Sequence, residues 1–83
     1  MRVRVLYFAR SREVAGAPEE ALDLPPGATT SSLLDDLRSR HPGLAGVLTS
    51  CVVAVNHEYV AAGEAAELRE GDEVAIIPPL SGG

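Results

Sequence analysis

The sequence has no lysine, and all seven of its basic residues are arginine. No side-chain amine can form a Schiff base or accept an isopeptide bond, and the only amine is that of Met1. A single cysteine, Cys51, excludes an internal disulfide framework and fits a reducing compartment. The two histidines, His41 and His57, have no second ligand at a metal-binding spacing, so no metal site is expected and both read as solvated loop residues. Long apolar runs are missing too. Val5–Ala9 falls far short of the ~20 residues that a membrane-spanning helix needs. Arg10 and Arg12 follow it too closely for a signal-peptide core, which predicts a cytoplasmic protein without membrane contact. The formal net charge of −5 argues against nucleic acid as a partner and for a basic surface on a protein.

Catalytic constellations are equally scarce. No P-loop or dinucleotide fingerprint is present. Glu19-Glu20 and Asp35-Asp36 read as solvated faces rather than acid/base pairs. Cys51 opens an apolar run with no histidine paired to it, the pattern of an inert buried thiol. No cofactor is expected on the chain itself.

What is present is one small domain: 83 residues, 46% of them apolar. A domain of this size buries only about 60% of the surface its unfolded chain exposes, which leaves little room for an enclosed pocket. Such a module acts on or through a partner.

Residues 2–8 alternate and are rich in β-branched and aromatic side chains, which predicts a first strand. Val3, Val5 and Tyr7 share one face, and Arg4, Leu6 and Phe8 the other. Arg10–Ala15 predicts a turn or two of helix, stopped by Gly16. Residues 20–24 predict a second strand, closed by Pro25-Pro26-Gly27. Thr29 is a good N-cap, and Leu33, Leu34 and Leu37 at helical spacing predict an amphipathic helix over 30–40, ended at His41-Pro42. Leu44, Val47 and Leu48 suggest a short second helix. Residues 51–55 predict a buried strand, Asn56-His57 a turn, Tyr59-Val60 a short return strand and Glu73–Ile77 the last strand. Strands around one main helix predict an α+β fold, with a mixed sheet and the helix packed on one face.

The C-terminus differs from the rest. Pro78-Pro79 cannot continue a ladder and favours an extended path. The expected organisation is therefore a domain over 1–79 and a tail over 80–83, Leu80-Ser81-Gly82-Gly83. Four residues past Pro79 reach at most about 14 Å from the body. Gly82 and Gly83, without Cβ atoms, can thread a narrow channel on another protein and present the terminal carboxylate inside it. An ATP-derived acyl adenylate of that carboxylate would accept a sulfur nucleophile.

Val5-Leu6-Tyr7-Phe8-Ala9, followed by Arg12-Glu13 and Gly16, resembles the opening of the small subunits of molybdopterin synthase, a ubiquitin-like sulfur-carrier family. Ala54-Val55-Asn56 resembles that family's third strand, and residues 71–83 resemble its ending closely, so the likeness covers nearly the whole chain. It implies a β-grasp fold with the first and last strands side by side. It also implies a mechanism. A partner adenylating enzyme activates the terminal carboxylate with ATP, and a sulfur donor system makes Gly83 a thiocarboxylate. The tail then enters the large subunit, in an expected heterotetramer, and gives its sulfur to cyclic pyranopterin monophosphate to build molybdopterin. Gly82 lets the tail pass. Phe8, Arg12, Tyr59 and Ile77 fall at the family's partner contacts, and the outward parity of Leu6 adds it to them. Pro78, Pro79, Leu80 and Ser81 lead into the channel. The family often carries bulkier aromatics at Tyr59, Ile76 and Ile77. Sulfur carriers for thiamin, cysteine or tRNA thiolation share the Gly-Gly ending, as do protein modifiers conjugated to lysines. A free-standing enzyme lacks any constellation to support it.

Overall fold

β1 (Arg2–Tyr7) buries Val3, Val5 and Tyr7 and turns Arg2, Arg4 and Leu6 the other way, as alternation along a pleated strand requires. In this computed structural model, which describes residues 1–61 and 63–78, the chain next forms α1 (Ala9–Ala15). Gly16 ends α1 in the left-handed region at φ 79°, a conformation that costs a Cβ-bearing residue far more. Phe8, expected as the last residue of β1, instead caps α1, because the backbone turns at Ala9 (φ 51°). β2 (Glu19–Asp23) returns antiparallel to β1, one residue earlier than expected.

α2 (Thr30–Arg40) starts at the expected cap: the Thr29 hydroxyl accepts from the Ser32 amide at 3.2 Å, and the Ser32 hydroxyl accepts from the Thr29 amide at 2.9 Å. Leu33 and Leu37 are fully buried, whereas Leu34, expected in the same core, is half-buried at its margin. A single turn of 3-10 helix (Pro42–Leu44) adds Leu44 to the core and leads into α3 (Ala45–Leu48), which adds Leu48.

β3 (Val52–Val55) and β4 (Glu58–Val60) form a hairpin. Asn56 and His57 both take positive φ, 49° and 72°, as a two-residue turn matched to strand twist demands. β5 (Glu73–Ile77) runs parallel to β1 and antiparallel to β3, so the sheet order is β2-β1-β5-β3-β4. The expected neighbourhood of first and last strands is therefore present. The expectation of a buried strand over 51–55 is corrected. Cys51 lies before β3, and Val52 is 40% exposed because its partner across the ladder, Ile77, faces away from the helices.

The core lies between one face of the sheet and α2, α3 and the turn joining them. Val3, Val5, Val74 and Ile76 from the central strands meet Leu33, Leu37, Leu44 and Leu48. Each such side chain contributes about 1.5–3 kcal/mol by leaving water. Among the described residues no helix is long and apolar enough to cross a membrane.

Candidate functional site

The face of the sheet away from the helices carries the candidate site. Strand register builds it. Leu6 of β1 lies opposite Ala75 of β5, Ala75 opposite Ala54 of β3, and Ala54 opposite Tyr59 of β4. One row thus crosses four strands with small residues in the middle and larger ones at the ends. The result is a shallow depression with Ala54 and Ala75 as its floor and Leu6, Phe8, Tyr59 and Ile77 among its walls. Phe8 is 47% exposed and Tyr59 75%, unusual for aromatic side chains on so small a domain.

The depression has a direction. At the start of β5 its border is polar: the Arg4 guanidinium pairs with Glu73, and also lies 3.3 Å from Glu19. The Asn56 amide donates to Asp72 at 2.9 Å, and its carbonyl oxygen accepts from the Glu73 amide at 3.0 Å. At the end of β5 the border is apolar, made by Phe8 and Ile77, and Pro78 follows. The apolar end is the one from which the chain leaves the sheet.

The structure therefore brings together Leu6, Phe8, Tyr59 and Ile77 of the expected partner-binding residues. Arg12 is not in the depression. It is exposed on α1, beside Ala9, Glu13, Gly16 and Pro18. Pro78 is half-buried just past β5, while Pro79, Leu80, Ser81, Gly82 and Gly83 lie outside the described residues. Sequence reasoning missed Ala54 and Ala75 as the floor, and His57 and Glu73 at the rim. Parity alone put Ala75 on this face, but Ala54 needed the register.

Two readings of the titratable groups change. Glu20 and His41 are partly buried rather than free in solvent, with 27% and 24% of their side-chain surface exposed. Glu20 points inward from the edge strand β2, where it accepts from the Tyr7 hydroxyl at 2.7 Å and from His41 Nε2 at 3.0 Å. The Tyr7 and His41 rings meet edge to face, with centroids 6.1 Å apart. Burial by itself pushes the Glu20 carboxyl up, but the hydrogen bonds from Tyr7 and His41 outweigh it and hold the carboxyl below its usual range. Burial, and then the bond to Glu20, raises the Tyr7 hydroxyl above its ordinary value. This cluster ties β1, β2 and the end of α2 together on the core side, and an inward charge on an edge strand also discourages strand addition.

Cys51 behaves as an inert thiol. It is half-buried, donates to the Val47 carbonyl at 2.9 Å, and burial pushes its pKa up, so it stays protonated and weakly nucleophilic. Among the described residues no three His, Cys, Asp or Glu side chains gather to hold a metal.

Known proteins share both sequence and architecture with this chain. It matches the ThiS family over residues 5–83. A molybdopterin synthase sulfur carrier subunit from Chlamydomonas reinhardtii is 53% identical over 83 residues, covering 100% of each chain. The human protein of that description is 43% identical over 83 residues, covering 99% of this chain and 94% of its own. Among solved structures, SAMP1 from Haloferax volcanii, a small archaeal modifier protein, superposes with a TM-score of 0.84 at 34% identity, covering 100% of both chains. With the parallel pairing of first and last strands and an apolar outer face added to this full-length identity, the chain belongs to the ThiS family and, within it, groups with the sulfur carrier subunits of molybdopterin synthase.

Proposed function

We propose that this chain carries sulfur on the terminal carboxylate of Gly83 and delivers it, in the cytoplasm, to the precursor of molybdopterin. The observation that carries the reading is the 53% identity, over all 83 residues, with a protein described as a molybdopterin synthase sulfur carrier subunit. An adenylating partner joins the carboxylate to AMP from ATP and releases pyrophosphate. Hydrosulfide supplied by the donor system then attacks the acyl carbon, the acyl–phosphate bond breaks, and AMP leaves a thiocarboxylate behind. The chain itself binds no cofactor; ATP is used by the activating partner. It is the donating subunit rather than the catalytic one, and burial keeps Cys51 a protonated thiol.

The partner is the large subunit of molybdopterin synthase, in a heterotetramer. The outer depression docks against it through Leu6, Phe8, Tyr59 and Ile77, with Arg12 reaching it from α1. Pro78, Pro79, Leu80 and Ser81 lead Gly82 and Gly83 into its active site, where cyclic pyranopterin monophosphate receives the sulfur. A thiocarboxylate is anionic at neutral pH, so the receiving pocket holds Lys or Arg near it.

Deleting Gly83 should abolish molybdopterin formation with purified large subunit while leaving thermal unfolding unchanged. Formation at the parent rate by the shortened chain would sink the reading. The likeness to SAMP1 favours a second one, in which the same activated carboxylate is joined to lysines of target proteins. Amide-linked conjugates in place of a thiocarboxylate would mark it.

A further inference from the structure

Ser11 is one of two buried polar side chains among the described residues, and it has no exposed surface at all. Its hydroxyl donates to the Phe8 carbonyl at 2.7 Å and accepts from the Phe8 amide at 3.1 Å, and it lies 3.4 Å from the Ile76 carbonyl. The Phe8 amide is shared with that carbonyl at 3.3 Å. The hydroxyl thus bonds both backbone groups of Phe8, and the Phe8 amide, shared between Ser11 and Ile76, ties that backbone to the end of β5, two residues before Pro78. Between Phe8 and Ser11 the chain passes through Ala9 at φ 51°, a left-handed conformation unfavourable for a residue with a Cβ. Such a conformation persists only where its surroundings over-determine it, and the Ser11 bonds do so. A buried hydroxyl is costly unless bonded. Here it is bonded: Ser11 is the third helical residue of α1, and its hydroxyl accepts from the amide of Phe8, which caps the helix.

Resting on the docking role of Phe8 proposed above, the geometry points to Ser11 as a positioning residue: through the Phe8 backbone it fixes where the ring stands relative to the root of the tail. Docking must seat the ring on the partner's surface and send the tail into the partner's interior at once. Their separation is set where α1 meets β5, and Ser11 holds that junction. A ring free to rotate about Ala9 would pay an ordering cost on binding that the bridged ring does not.

The test is a double-mutant cycle on binding to the cognate large subunit, with Ser11→Ala, Phe8→Ala and the pair, each checked for folding by thermal unfolding. Ser11→Ala should weaken binding about tenfold, a difference of 1.4 kcal/mol. In the Phe8→Ala background the same change should cost less than about twofold, because the group it positions is gone. Ala9→Gly gives a second route, since it relieves the backbone and keeps the core intact. It should fold at least as well as the parent and yet bind several-fold more weakly. If Phe8→Ala binds like the parent, the docking reading has failed and this inference with it. If Phe8→Ala is weak while Ser11→Ala and Ala9→Gly bind like the parent, or if Ser11→Ala costs the same in both backgrounds, Ser11 does not position Phe8 and the inference alone is overturned.

Discussion

The two faces of the sheet are built from the same strands, in one alternating sequence, yet they solve opposite problems. The inner face places Val3, Val5, Tyr7, Val53, Val74 and Ile76 under α2 and α3, and every one of them is buried. The outer face places Leu6, Ala54, Tyr59, Ala75 and Ile77 where no helix of the described chain covers them. The difference lies in side-chain size. The inner face interlocks branched residues of the middle strands with leucines, whereas the outer face puts alanines on its two middle strands and leaves a hollow. The inner face holds the fold, and the outer face is a hollow that no helix among the described residues fills.

Breaking the inner face should give the largest effect. Leu37→Ala removes a fully buried side chain and should cost about 2–5 kcal/mol in denaturant unfolding. A loss well under 1 kcal/mol would show that α2 does not anchor the core. On the outer face, Phe8→Asp should leave unfolding within about 1 kcal/mol of the parent and weaken binding to the large subunit by about 2–3 kcal/mol. Unfolding of this variant would make Phe8 part of the core and erase the contrast between the faces.

The edge of the inner face responds to acid instead. The Glu20 carboxyl is held below its unfolded value, so its contribution to stability is fully present above that value and lost as pH falls through the folded one. Glu20→Gln should be less stable than the parent near neutral pH. The gap should close in the acid range, below the ordinary glutamate value, as read from unfolding midpoints across pH. A gap that stays constant with pH would mean that the carboxylate charge plays no part. The smallest effect belongs to Cys51→Ser, which should change stability by about 1 kcal/mol or less and leave sulfur loading intact. Loss of loading in this variant, still folded, would move the chemistry from the terminus to the thiol.

Local pattern made the inner face legible. Period-two alternation in residues 2–7, leucines at helical spacing after Thr29, and Asn56-His57 between two short strands each announce themselves within a few residues. The outer face was legible only in halves. Leu6 and Phe8 could be set opposite Val3 and Val5 by parity, but the row from Leu6 through Ala75 and Ala54 to Tyr59 joins residues far apart in sequence, and strand register decides it. The meeting of Glu20 with His41 and Tyr7 was hidden for the same reason, and so was the approach of Ser11 to Ile76. The tail residues Pro79 to Gly83 were legible as chemistry through Gly-Gly after Pro-Pro, and they lie outside what the structure describes.

The most direct test of the central claim is the intact mass of the chain after incubation with ATP, its adenylating partner and a sulfur donor. The account predicts a gain equal to the replacement of one oxygen by one sulfur, located by digestion on the peptide ending in Gly83 and present also in Cys51→Ser. A mass left unchanged, or a sulfur found only on the peptide that holds Cys51, would contradict it.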